Sequence, residues 1–170
     1  MSERGFESLA DGTLLLTVLL VASGAMVVLA RPVPVDETAV AARYAEDLRL
    51  ALFRTTMDGL EYDRDGASVP LPDRTSVEMY LRVQVHLLTR GPPGLDFDES
   101  NARVEALAER LLRPGWGFAI LGRASGAGVL AIPHAADLPN TYVESSWTYP
   151  ALDGTGPEVR LALAVWLSPR

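Results

Sequence analysis

The sequence predicts an α+β protein with an N-terminal transmembrane helix, then about three helices, followed by a roughly four-stranded antiparallel sheet. Three observations carry this prediction. Residues 12–30 form an uncharged apolar run, residues 36–113 repeat apolar side chains at helical spacing, and residues 116–167 repeat them at the strand spacing of two. Helices that precede a set of strands, rather than alternate with them, are typical of the α+β class.

The apolar run lies between Asp11 and Arg31 and has the length of a membrane span. At about 1.5 Å per residue, a helix over this run reaches about 28 Å, which is close to the roughly 30 Å hydrocarbon core of a bilayer. We therefore predict a transmembrane or filament-core helix over residues 6–30. Its apolar surface is predicted to consist of Leu14, Leu15, Leu16, Val18, Leu19, Leu20, Val21, Val27, Val28 and Leu29.

The short segment ahead of the run leaves three interpretations open. A cleaved secretory signal is disfavoured because acidic residues outnumber the single arginine there, although residues 28–30 would suit its cleavage site. A single-pass anchor requires nothing beyond the apolar run itself. The third interpretation, a leader removed by a membrane peptidase, depends on a resemblance to a known family.

Residues 1–5 end in Arg4 and Gly5 and stand directly before Phe6. A short charged leader of this kind, followed by an apolar helix, resembles the type IV prepilins. The resemblance implies that a membrane peptidase cuts after Gly5, that Phe6 becomes the mature N-terminus, and that the helix packs into a filament core. Bacterial members carry Glu at the fifth mature position, where this chain has Ala10, so the archaeal branch is the better match.

Beyond the run, residues 31–35 form a linker in which two prolines end the helix, because proline lacks the backbone N–H and disfavours helical backbone before it. We predict that residues 36–170 form a single α+β domain outside the cytoplasm. Its predicted helices cover residues 36–58, 75–90 and 98–113, and its predicted strands cover residues 116–122, 129–132, 141–149 and 159–167. A helical part followed by an antiparallel sheet is also the general plan of a pilin subunit.

Each predicted helix has an apolar stripe that should face the core. The stripes consist of Val40, Tyr44, Leu48 and Leu52 in the first helix, Val77, Leu81, Val85 and Leu88 in the second, and Val104, Leu107, Ala108 and Leu111 in the third. Thr75 and Glu78 have the spacing of a capping box, which predicts that the Thr75 hydroxyl caps the second helix.

The composition excludes several classes of function. A formal net charge of −7 gives no electrostatic support for nucleic-acid binding, so no nucleic-acid partner is predicted. The absence of cysteine excludes disulfides, thiol nucleophiles and cysteine-ligated metals.

Few residues carry catalytic or binding chemistry. His86 is predicted to face solvent, away from His134, so a two-histidine metal site is not expected. Ser125 lacks the Gly-x-Ser-x-Gly pattern of a hydrolase nucleophile, and residues 63–66 lack most ligands of a calcium loop. Trp147 lies in a predicted strand, where core packing and a contact surface at a sheet edge are the two interpretations; we expect core.

These observations predict a non-enzymatic protein with no cofactor, no metal and no small-molecule substrate. The prediction is a membrane-anchored, pilin-like structural subunit, of the minor kind, in an archaeal-type IV filament or its assembly machinery. Its partners would be the membrane and other pilin-like subunits or a membrane assembly platform. The alternative is a single-pass, membrane-tethered extracytoplasmic domain that binds an unknown ligand.

Overall fold

The structure, a computed structural model, describes residues 37–134 and 138–167. This part of the chain forms three helices and three antiparallel sheets. In chain order the elements are α1 (Glu37–Arg54), β1 (Thr56–Met57), β2 (Glu61–Arg64), β3 (Ala67–Pro70), β4 (Thr75–Ser76), α2 (Val77–Arg90), β5 (Leu95–Asp96), α3 (Asp98–Leu111), β6 (Trp116–Ala124), β7 (Ala127–Ile132), β8 (Val143–Tyr149) and β9 (Val159–Leu167).

The largest sheet has four strands in the order β7-β6-β9-β8. The last strand in sequence, β9, lies inside the sheet between β6 and β8, so that β7 and β8 form its two edges. The two smaller sheets pair β3 with β2 and β2 with β5, and β1 with β4. Every one of these described pairings is antiparallel.

The core lies between one face of the large sheet and the helices. Leu161, Leu163 and Val165 of β9 alternate along this face and are fully buried, as the strand period of two requires. Helix α1 packs on β8 and β9, whereas α2 packs on β6, β7 and β9. The largest fully buried apolar side chains of the helices are Leu52, Phe53, Tyr80, Leu81, Val77 and Val85.

The ends of α2 have clear physical causes. The Ser76 hydroxyl accepts the Met79 N–H at 3.2 Å and caps the first turn, whereas Thr75 donates its hydroxyl to the Pro72 carbonyl at 2.5 Å. The predicted cap at Thr75 is therefore displaced by one residue. At the other end, Gly91 adopts the left-handed backbone (φ 61°) that commonly terminates a helix.

Side chains of α3 connect the small sheets to the core. The buried Ser100 hydroxyl accepts the Glu61 N–H at 2.9 Å and donates to the Glu61 carbonyl at 2.7 Å, which fixes β2 against α3. Arg103 donates to the carbonyls of Asp58 and Gly59 and so holds the turn after β1.

The predicted fold class is wrong. The described residues contain three helices and three sheets of two, three and four strands, not helices followed by one sheet. The short strands escaped prediction because segments of two to four residues are too brief to show a period. No helix among the described residues is long and apolar enough to cross a membrane. The run over residues 12–30, predicted as the transmembrane helix, lies outside the described residues.

The predicted elements of the domain differ from the structure mainly at their ends. The strand Val159–Leu167 has its predicted limits, while α1 ends at Arg54 rather than near residue 58. Two members of the predicted apolar stripes are not in the core, because Val40 is 48% exposed and Leu111 is 38% exposed. Both lie near helix ends, since Val40 is in the first turn of α1 and Leu111 is the last residue of α3.

Candidate functional site

The predicted site residues at the start of the chain lie outside the described residues. They are the leader residues Arg4, Gly5 and Phe6 and the apolar residues Leu14, Leu15, Leu16, Val18, Leu19, Leu20, Val21, Val27, Val28 and Leu29. Leader cleavage and membrane insertion therefore stay predictions.

The residues considered for catalysis or metal binding lie on different elements. Ser125 is exposed in the turn between β6 and β7, where it has a φ of 51°. His86 is half-buried on α2, and His134 is exposed after β7. Across residues 37–134 and 138–167, no group of three or more acidic or histidine side chains could hold a metal ion.

Trp147 lies on the edge strand β8 and is 58% exposed, so the expected core position of this residue is wrong. The Arg49 guanidinium lies 5.8 Å from the centre of the Trp147 ring, within the range of a cation–π contact. Arg49 is itself buried and donates from Nε to the Ser145 hydroxyl at 2.9 Å. The Trp147 indole therefore contacts a fixed cation, although most of the indole surface is exposed to solvent.

A second arginine lies against the same strand. The Arg82 guanidinium is 4.9 Å from the centre of the Tyr149 ring, donates to the Pro150 carbonyl at 3.3 Å, and lies 3.7 Å from the Glu78 carboxylate. Burial, followed by the nearby Glu78 carboxylate, raises the pKa of Tyr149 to about 12. We call the set of Arg49, Arg82, Trp147 and Tyr149 the β8 surface.

A groove lies at the opposite edge of the large sheet, between α2, the β5–α3 corner and β7. Its volume is about 730 Å³, which lies within the range of small-molecule sites. Its lining includes Gln84, Leu88, Asp96, Asp98, Asn101 and Leu130. We call this space the α2–β7 groove.

Gln84 is the unusual residue of this groove. It is 2% exposed, and its side-chain oxygen Oε1 is buried without a hydrogen-bond partner in the part of the chain that the structure describes. A buried polar group normally has a partner, because burial without one costs about 1–3 kcal/mol. The unpaired oxygen therefore lowers the stability of the folded chain.

Tyr80, one helical turn before Gln84, has a hydrogen-bond partner for its hydroxyl. Tyr80 is fully buried, and its hydroxyl donates to the Asn101 side-chain oxygen at 2.8 Å. Burial raises the pKa of Tyr80 most, and the negative charges of Asp98 and Asp96 raise it further.

Comparison with protein-family models, with curated proteins and with solved structures finds no match to this chain. Function must therefore be inferred from the two surfaces.

The sequence contained a signal for Gln84 that the apolar stripe obscured. Gln84 follows Val77 by seven residues and Leu81 by three, so it occupies a core position of α2. A lone amide at a core position is a recognisable candidate site residue. The exposure of Trp147 had no comparable signal, because it depends on which strand forms the sheet edge.

Proposed function

We propose that the chain is a membrane-anchored, pilin-like structural subunit that contacts other subunits through the β8 surface. The single observation that carries the proposal is the exposure of Trp147 on an edge strand, over the buried Arg49. The leader ending in Gly5 and the apolar run over residues 12–30 supply the resemblance to prepilins. The apolar segment would hold the subunit in the membrane before assembly.

The chemistry of the β8 surface suits a protein contact. Tryptophan and arginine are enriched at the centres of protein interfaces, because a large flat ring and a planar cation exclude water over a wide area. Arg49 is already ordered by the Ser145 hydroxyl, so a partner would not have to immobilise this side chain on binding. Such a preformed surface supports a role in subunit contact.

Mass spectrometry of the mature N-terminus tests the prepilin part of the proposal. In cells that contain a prepilin peptidase, we expect the chain to begin at Phe6. A Gly5→Leu variant should keep residues 1–5, because bulk at the cleavage position blocks the peptidase. Retention of residues 1–5 in the unmodified chain would contradict the prepilin assignment.

A substitution in the β8 surface tests the contact itself. Trp147→Ala should weaken co-purification or cross-linking of subunits by about tenfold or more, the size expected for a tryptophan at an interface centre. Leu111→Ala is a matched control, because Leu111 is also exposed and apolar but lies on α3. Equal effects of the two substitutions, or none from Trp147→Ala, would remove the β8 surface from the proposal.

The α2–β7 groove favours a second candidate function, a membrane-tethered binding domain without a filament. Cysteines placed singly along residues 13–29 separate the two candidates. A filament predicts disulfide cross-links at a regular helical subset of positions, whereas a tethered monomer predicts no cross-linked ladder.

A further inference from the structure

We propose that Arg49, in the β8 surface, binds a carboxylate side chain that a partner subunit presents next to an apolar residue. This inference rests on the proposed function, because it names the chemistry of the partner that the β8 surface contacts.

Arg49 is a buried cation without an anionic partner. It is 6% exposed, and no acidic side chain of residues 38–134 or 138–167 forms an ion pair with it. Its guanidinium has five N–H donors, of which the one on Nε alone has a hydrogen-bond acceptor in the described part of the chain, the Ser145 hydroxyl. Buried charges in proteins are normally paired, because removing an unpaired charge from water is costly. Arg49 therefore lacks the anionic partner that a buried guanidinium normally has.

The terminal nitrogens of Arg49 are open to a partner. Among the described residues, the fully buried side-chain nitrogen and oxygen atoms without a hydrogen-bond partner are Arg82 Nε and Gln84 Oε1. The unpaired terminal nitrogens of Arg49 do not belong to this group, so they keep some contact with solvent. Because the guanidinium lies 5.8 Å from the centre of the exposed Trp147 ring, a ligand that covers this ring can reach them as well.

The opposite face of the same sheet shows this arrangement with its carboxylate in place. Arg160 donates from Nε to the Ser146 hydroxyl at 3.1 Å, as Arg49 does to Ser145. One of its terminal nitrogens lies 2.8 Å from the Glu144 carboxylate. Each arginine is thus held by a serine of β8, but only Arg160 also has an acidic partner among the described residues. A carboxylate supplied by a partner subunit would complete Arg49 in the same way.

The charge of the β8 surface matches a single carboxylate. Arg82 already lies 3.7 Å from the Glu78 carboxylate, so the uncompensated positive charge is that of Arg49. A carboxylate carries one negative charge, whereas a phosphate group carries about 1.5 to 2 at neutral pH. The planar guanidinium can donate two parallel hydrogen bonds to the two oxygens of a carboxylate. The exposed Trp147 ring beside it suits an apolar side chain next to the acid.

The composition of the chain favours a subunit as the source of the carboxylate. The sequence has 22 acidic and 15 basic residues, so a second copy carries acidic side chains in excess. The uncompensated Arg49 is an exception to this overall negative charge. A carboxylate that approaches it gains electrostatic free energy there, which also fixes the orientation of the two subunits.

Calorimetric titration of the full chain with two capped peptides tests the proposal. N-acetyl-Leu-Glu-Leu-amide carries one carboxylate between two apolar side chains, and N-acetyl-Leu-Gln-Leu-amide has the same shape without the charge. We expect saturable binding of the Glu peptide and at least about tenfold weaker binding of the Gln peptide, because hydrogen bonds to a charged group are the stronger ones. Equal binding of the two peptides, no saturable binding of the Glu peptide up to about 10 mM, or tighter binding of inorganic phosphate would each overturn the proposal.

Substitution of Arg49 assigns the contact. Arg49→Met removes the charge and should weaken binding of the Glu peptide by at least about tenfold. Arg160→Met is the matched control, because it makes the same substitution on the opposite face of the sheet and should leave binding unchanged. Unchanged binding in Arg49→Met, or an equal loss in both variants, would refute the site. If Arg49→Met does not fold, Arg49→Lys provides the test: it keeps the charge but loses the planar pair of donors, so unchanged binding would refute the site.

Cross-linking of subunits separates this proposal from the proposed function. Arg49→Met should weaken cross-linking by about tenfold, as Trp147→Ala should. Loss of cross-linking in Trp147→Ala but not in Arg49→Met would keep the subunit contact and overturn the carboxylate contact. Binding of the Glu peptide, without an effect of either variant on cross-linking, would contradict the proposed subunit contact and overturn a subunit as the source of the carboxylate.

Discussion

Replacing Gln84 with methionine should make the protein more stable. The Gln84 side chain is 2% exposed, and its Oε1 has no hydrogen-bond partner in the described residues, so folding removes this oxygen from water without compensation. Such a loss costs about 1–3 kcal/mol. Methionine has a similar length and fills irregular space with little strain. We therefore expect the free energy of unfolding to rise by about 1–2 kcal/mol.

Urea unfolding followed by tryptophan fluorescence measures this change. With a slope of about 2 kcal/mol per molar, the predicted stabilisation moves the midpoint upward by about 0.5–1 M while the slope stays constant. Ser100→Ala provides the control, because Ser100 is equally buried but makes two hydrogen bonds to the Glu61 backbone. Ser100→Ala should lower the free energy of unfolding by about 1–3 kcal/mol, because it removes both hydrogen bonds.

The test depends on the two substitutions changing the free energy of unfolding in opposite directions. If Gln84→Met destabilises the protein as Ser100→Ala does, Gln84 Oε1 has a partner in solution, such as a buried water molecule, and the inference of a missing donor fails.

Two further predictions concern packing and alkaline pH. Gly122→Ala should lower the free energy of unfolding by about 1–3 kcal/mol, because a Cβ there would overlap the Val85 side chain; calorimetric unfolding at wild-type stability would contradict this close packing. Tyr149 should ionise with a pKa of about 12, compared with the ordinary tyrosine value of 10.0, as measured by ultraviolet titration against Tyr149→Phe. Because its folded pKa is raised, its contribution to stability is complete below pH 10 and is lost as pH rises through 12; a midpoint near 10 in the folded chain would refute it.

Long, regular elements were predictable because their patterns extend over several turns or residue pairs. The strand Val159–Leu167 alternates apolar side chains along its length, and burial of Leu161, Leu163 and Val165 follows directly from that alternation. The strand β1, by contrast, contains only Thr56 and Met57. Its structure depends on pairing with β4, which no local pattern specifies.

The two surfaces differ in how much the sequence could say about them. Gln84 stood at a helical core position, so its burial followed from the period of α2. What the sequence could not supply was the absence of a hydrogen-bond partner for Oε1, because this depends on which donors the folded chain places beside it. The exposure of Trp147 required the strand order, which places the third long strand in sequence at the edge of the sheet.

The position of Trp147 within its strand constrains what can cover it. Trp147 pairs with Leu161 across β8 and β9, and directly paired residues lie on the same face of an antiparallel sheet. Leu161 is fully buried beneath the helices, so Trp147 lies on the helix-bearing face. The opposite face of β8 carries Glu144, whose carboxylate lies 2.8 Å from Arg160. A partner that buries Trp147 therefore extends the layer of helices beyond Arg49, rather than adding to the charged face of the sheet.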